Sequence, residues 1–280
     1  MKVHTPKAVI ILLFAIVLFA KSVPSWAQCN HAHPAYSSDI PFHPASVTLN
    51  GNARFVRRAN GQPVLQLNTK VWQVGSAWFN TQQEVASGFS TTFAFALIRP
   101  IYDNADGIAF VIQNNALTAL GPVGGGLGFG QWPGGTGGIP NSLAVELNTW
   151  DNPGWDQSDN SISIQSCGTA PNSVDTFSTC DLGINPNLPV TLADGKVHTV
   201  TVTYDGANID VILDGNDLFP GGVAVDLGTL LNLNDGAAYV GFTGADGGGG
   251  NTQVILSWTF SPQSMPTEPT TEMCGQKIWE

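Results

Sequence analysis

The sequence predicts an all-β fold, two packed sheets of antiparallel strands, and three observations carry that prediction. Short runs with apolar residues at every second position recur along the chain, about a dozen of them. Gly, Asn, Thr and Ser are abundant while only 11% of residues are charged, which describes strands joined by long polar loops rather than a helical enzyme. No stretch carries the 3.6-residue apolar period of a convincing amphipathic helix.

Taken in order, Met1 to Ala27 reads as an export signal. Lys2 and Lys7 give a basic start, Ala8 to Ala20 is an apolar run of 13 residues, and Ser25-Trp26-Ala27 supplies small residues for cleavage. The run falls short of the roughly 20 residues that a membrane span needs. Removing the signal leaves 7 basic against 21 acidic residues, about −14. Nucleic acid and anionic membranes are therefore poor partners. The expected location is extracellular, or periplasmic in a bacterium. Residues 28–44 form a polar lead-in, where His31 and His33 read as part of a solvated terminus rather than as metal ligands.

Four cysteines remain in an oxidising compartment, an even number suited to disulfides. Cys167 and Cys180 flank one loop, and Cys29 and Cys274 lie near the two ends, so these are the expected pairs. No Cys-x-x-Cys spacing occurs, which argues against zinc and redox catalysis. No Asn-x-Ser/Thr acceptor for glycosylation is present either.

Strand-like runs begin at Ala45 to Leu49 and recur at Pro63 to Leu67 and Ser76 to Phe79. Gly88 to Leu97 is the best formed. There Phe89, Thr91, Phe93, Phe95 and Leu97 share one face, with Ser90, Thr92, Ala94 and Ala96 opposite. Asn141 to Gln165 reads as strand, polar loop, strand. Leu143, Val145 and Leu147 point one way and Glu146, Asn148 and Trp150 the other. The loop from Asp151 to Asn160 is crowded with oxygen donors. A carboxylate aimed into such a loop needs a positive partner, and a hard cation such as calcium supplies one; a solvated Asx-rich turn is the alternative. Val197 to Asp205 is a further alternating strand, on which His198, with no paired nucleophile, reads as structural rather than catalytic.

Several of these stretches together resemble the L-type (legume-like) lectins. Leu-Ala-Val-Glu-Leu-Asn-Thr-Trp-x-Asn-x-x-Trp-Asp, from Leu143 to Asp156, is similar to that family's metal-and-sugar segment. Leu49 to Ala53, Val74 to Phe79, Phe89 to Phe95 and Ala105 to Phe110 match further family elements, as do Gly241 to Asp246 and Val254 to Phe260. The resemblance implies a concanavalin A-like jelly-roll sandwich over residues 45–262, followed by a polar tail at 263–280. It also implies a secreted, non-enzymatic protein whose partner is carbohydrate, and it leaves oligomers open.

The resemblance further implies a site. Asp106, after a cis peptide with Ala105, would accept hydrogen bonds from sugar hydroxyls. An amide of Gly125 or Gly126 and the side-chain amide of Asn152 would donate to the sugar. Trp155 would stack on the ring, with Trp132 as a second aromatic, and Ala245 and Asp246 would stand in the loop that shapes preference. Of the family's metal ligands, Glu146 and Asp156 match. Asn148 stands where a bridging Asp is expected and Ser161 where a His is expected. Losing an anionic bridge and an imidazole disfavours a transition metal. Asn148, the Trp150 carbonyl, Asn152 and Asp156 remain for calcium. The expectation is calcium alone, weakly held, or a metal-free loop propped by hydrogen bonds. Two other readings stay open, a glycoside hydrolase on the same sandwich and a structural or adhesive module. The first needs two carboxylates in reach of one bond, yet position 148 holds Asn.

Overall fold

The computed structural model describes Met1, residues 43–58 and residues 61–263. Apart from Met1 these residues belong to one compact unit, Tyr36–Glu280. The proposed signal, most of the lead-in and tail, His31, His33 and the Cys29–Cys274 pair lie outside the described residues.

Sixteen strands run through the described chain. They begin with β1 (Val47–Gly51), β2 (Arg54–Arg57), β3 (Pro63–Asn68), β4 (Val74–Phe79), β5 (Gln83–Glu84), β6 (Phe89–Ile101) and β7 (Gly107–Gln113). β8 (Ser142–Asn148), β9 (Ser161–Gln165), β10 (Asp181–Asn185), β11 (His198–Tyr204) and β12 (Asn208–Leu213) follow. The last are β13 (Asn216–Asp217), β14 (Val223–Ala224), β15 (Ala237–Ala245) and β16 (Gly250–Pro262). One sheet runs β1-β4-β15-β7-β8-β9-β10, with β5 added on β15. The other runs β13-β12-β11-β6-β16-β3-β2, with β14 added on β12. Every strand pair is antiparallel, the arrangement that alternating polar and apolar positions predict. The count exceeds a dozen because β5, β13 and β14 have two residues each, too few to show a period. Among the described residues one α-turn, Leu227–Leu230, is capped by the Asp226 side chain, which accepts from the Thr229 N–H.

Between the sheets lies an aromatic core. Phe79 stacks on Trp258 with centroids 4.0 Å apart, and Phe93 meets Phe242 edge-on at 4.9 Å. Leu143, Val145 and Leu147 enter this core as their spacing predicts. The opposite face of β8, whose carboxylate is expected to aim into the oxygen-rich Asp151–Asn160 loop, is closed over. All seven of its residues are buried, because loops close over that face with a second apolar cluster. Leu127, Phe129, Ile139 and Val174 supply the cover, packed on Ala109, Val111 and Ala144. Alternation shows which side chains share a face; it carries no information about what lands on that face.

Register then fixes the site. Gly107 pairs with Asn148 on one side and with Ala245 on the other, and Asn148 pairs with Ser161. The segments flanking β7, β8, β9 and β15 there therefore meet at one end of one sheet.

Candidate functional site

Asp106 sits at that end, just before β7. The Ala105–Asp106 peptide is cis, as the resemblance implies. Its backbone is held on both sides: the Asp106 N–H donates to the Ala245 carbonyl at 3.2 Å, and its own carbonyl accepts from the Thr149 N–H at 2.9 Å. Only 4% of the residue is exposed, and Oδ2 has no hydrogen-bond partner. Burial pushes the carboxyl up to about 7, opposed by the nearby Gly247 amide, with Asp156 adding to the rise.

Three other segments gather beside this carboxyl, and a Cβ on Gly124, next to Gly125, would come 4.0 Å from Asp106 Oδ2. A Cβ on Gly125 would stand 2.8 Å from the Asn152 Nδ2, so the glycine is what lets the loop lie on that amide. A Cβ on Gly126 would instead meet Pro122 at 2.9 Å. Of the two candidate glycines, Gly125 faces Asn152 and Gly126 packs away from it. A Cβ on Gly247 would come 3.1 Å from Asp106 Oδ2. Asp106, Gly125, Asn152 and Gly247 thus form one constellation drawn from four loops.

The remaining candidates fall into place around it. Trp155 packs partly buried against the second apolar cluster. Its carbonyl accepts from the Thr176 N–H and Oγ1 at 2.9 and 2.8 Å, on the segment that the Cys167–Cys180 disulfide closes. Trp132 packs on the same cluster. Ala245 and Asp246 are both fully buried. The Asp246 carboxyl turns inward, accepting from Gln253 Nε2 at 2.8 Å, and burial raises it to about 9. The part of this loop that borders Asp106 is Gly247, one residue beyond the predicted pair.

Trp72 joins the same end of the sheet, although no motif in the sequence singles it out. The residue is 69% exposed, its backbone is left-handed at φ +59°, and its backbone N–H donates to the Gly247 carbonyl at 3.0 Å. An indole in a polar turn between two strand runs is the signal that the sequence offers for it.

Most of the predicted cation ligands face donors within the protein, and the exception is Glu146 Oε1, which is buried with no hydrogen-bond partner. Asn148 Nδ2 donates to the Trp150 carbonyl at 2.9 Å and to the Ser158 carbonyl at 3.0 Å. Asp156 Oδ2 accepts from the Asn152 N–H at 2.8 Å and from its Nδ2 at 2.7 Å. Burial still pushes Asp156 up to about 6. Glu146 is 1% exposed and points to Ser163, whose Oγ donates to its Oε2 at 3.1 Å. Burial, with Asp156 nearby, raises Glu146 well above the usual carboxylate range. Among the described residues no group of three or more His, Cys, Asp or Glu is placed to hold a metal ion. A calcium ion needs six to eight oxygen ligands, and here the Trp150 carbonyl and Asp156 Oδ2 already face N–H donors. Asn148 in particular does not fit the cation as arranged, because its Nδ2, not its oxygen, is turned to the Trp150 and Ser158 carbonyls. Of the two expectations, the geometry matches the loop propped by hydrogen bonds. The acid spacing considered for a hydrolase is also missing, since position 148 holds Asn and Glu146 is buried.

Residues 40–274 match the legume lectin domain. The chain is 31% identical over 193 residues to agglutinin-2 of Cladrastis kentukea, covering 66% of this chain and 61% of that protein. It is 30% identical over 234 residues to a putative L-type lectin-domain containing receptor kinase of Arabidopsis thaliana, covering 77% of this chain but 33% of the kinase. The chain thus spans less than two thirds of either relative's length. Among solved structures, basic winged bean lectin with Tn-antigen superposes with a TM-score of 0.58 at 27% identity, covering 79% of this chain and 94% of that one.

Proposed function

Because this chain belongs to the legume lectin domain family, whose members bind carbohydrate without catalysis, we propose that it is a secreted lectin that holds sugar at Asp106, Gly125 and Asn152. The observation that carries the reading is Asp106 Oδ2. It is a buried carboxyl oxygen with no partner inside the protein, beside loops kept thin by Gly125 and Gly247. Burying an acceptor without a partner costs about 1–3 kcal/mol. A ligand hydroxyl that donated to it would recover that cost.

In this reading the Gly125 N–H and the Asn152 amide donate to the same sugar, Trp155 offers its free face to the ring, and the loop after Ala245 and Asp246 sets which sugar is preferred. Winged bean lectin holds Tn-antigen, and Tn-type glycans are accordingly among the probes to try. Residues 45–262 act as the lectin domain, with 1–27 as export signal, 28–44 as lead-in and 263–280 as tail. The Cys167–Cys180 disulfide suits an oxidising compartment. No helix among the described residues is long and apolar enough to cross a membrane.

The test is a glycan array followed by titration of a bound sugar into wild type and Asp106→Asn. The substitution keeps shape and removes the charged acceptor, so affinity should fall by about 1.5–3 kcal/mol. Its stability should hold or rise above pH 7, since the change relieves a buried carboxyl of ionisation. Equal affinities would remove Asp106 from the site.

A further inference from the structure

We infer that the Asn148 side-chain amide does in this chain what a bound divalent cation would otherwise do: it holds the Asp151–Asn160 loop in place, so the sugar site forms without metal. The inference rests on the carbohydrate reading only where it concerns sugar.

The argument starts from what Asn148 faces. Nδ2 lies 2.9 Å from the Trp150 carbonyl and 3.0 Å from the Ser158 carbonyl. These two acceptors belong to the entry and the far side of the loop. Two N–H bonds from one amide group satisfy both and tie the loop across its width. Oδ1 meanwhile lies 3.4 Å from the Trp150 N–H, so the opposite amide orientation would set an oxygen against two carbonyl oxygens. A carboxylate at 148 would make that same clash, and only a cation between the oxygens would remove it.

The loop's one buried acid follows the same logic. Asp156 Oδ2 receives two N–H groups from Asn152, so its charge is met by donors rather than by a metal. That pair of bonds also aims Asn152 toward Gly125, whose Cβ position would be 2.8 Å from its Nδ2. The polar contacts that place the sugar-facing amide are therefore complete within the chain. Asn148 is a positioning residue in this scheme; it acts through the loop and touches no ligand.

The experiment reads the loop directly. Melting curves of wild type and Asn148→Asp are recorded in EDTA and in excess calcium, with calorimetric titration of calcium into wild type alongside. Wild type should melt at one temperature in both buffers and give no calcium heat. Asn148→Asp should melt lower in EDTA by at least about 5 °C and regain that loss in calcium. Calcium binding to wild type, or a wild-type melting temperature that drops in EDTA, would overturn the inference. So would an Asn148→Asp protein as stable as wild type in EDTA and indifferent to calcium. If the variant fails to fold in either buffer, the wild-type titration decides. Glycan binding by wild type should also survive EDTA, and its loss there would count against the inference. A wild type that bound no glycan in either buffer would instead refute the lectin reading, with the melting data still deciding the role of Asn148.

Discussion

Two polar centres in this molecule are both built around pairs of aspartates and behave in opposite ways. At the start of β11, His198 is buried between two carboxylates, with Nδ1 2.7 Å from Asp214 Oδ2 and Nε2 3.0 Å from Asp194 Oδ1. Each acid has further donors: the Thr199 N–H reaches Asp214 at 2.8 Å, and the Lys196 side chain and N–H reach Asp194. Hydrogen bonds from Lys196, with a smaller share from His198, pull Asp194 down to about 2. At the loop end of the other sheet, Asp106 and Asp246 are buried without a cation and pushed up to about 7 and 9. Oδ2 of Asp106 makes no hydrogen bond of its own, although the Gly247 amide lies near the carboxyl. A centre whose donors and acceptors are all paired ties chain segments together. A centre with an orphaned acceptor is poised for something from outside. His198 therefore takes the structural role that a lone histidine on a strand suggests.

Replacing His198 should break the first centre most severely. His198→Ala leaves two acids facing each other across a void beside Phe95, whose ring centroid is 5.7 Å from the imidazole. A loss of about 2–3 kcal/mol in urea unfolding is expected, with sugar affinity unchanged. An unmoved unfolding midpoint would erase the contrast between the centres.

The second centre should show itself as a pH trend. The folded-state carboxyls of Asp246 and Asp106 are raised above their unfolded value of 3.8. Between about pH 4 and pH 9 the folded chain holds protons that the unfolded chain has lost, so stability falls as pH rises. Melting temperature should be several degrees higher at pH 5 than at pH 8. Asp246→Asn keeps the Gln253 contact nearly isosteric and should flatten the alkaline part of the decline, raising stability at pH 8 by about 1 kcal/mol. A flat profile for wild type would show that these acids are ionised and satisfied, and the distinction drawn between the centres would fail.

The smallest effect sharpens the comparison from the exposed side. Asp194 lies at the rim, where solvent screens its pairing with Lys196 and His198. Asp194→Asn should cost less than about 1 kcal/mol, far below His198→Ala. A cost equal to that of the histidine variant would mean that Asp194 alone carries the clasp.

Much of this arrangement is legible in the amino-acid order itself. The alternation in Phe89 to Leu97 and Leu143 to Leu147 gives strand identity and the core-facing side, because period two depends only on local geometry. Asp106, Gly125 and Asn152 stand out because their types and spacing repeat a family pattern. The burial of Glu146 and Asp246 does not, since it depends on loops from distant parts of the chain landing on the outer face of the sheet. Nor does the place of Trp72 and Gly247, which meet through one backbone hydrogen bond between residues far apart in sequence. The role of Asn148 turns on the direction of an amide, which residue type alone does not give.

The order of strands within the sheets bears on how the protein comes into being. β15 lies between β4 and β7, and β16 lies between β6 and β3, so two strands made late in this domain, after β1 to β14, occupy interior places in both sheets. Until they arrive, β4 and β7 lack their shared neighbour and β6 presents an open edge along its length. Neither sheet can close early, and contacts of such long sequence separation make for slow folding. A nascent chain stalled before Ala237 would display two unfinished sheets with hydrophobic edges, the kind of surface that chaperones hold and that aggregates when they do not.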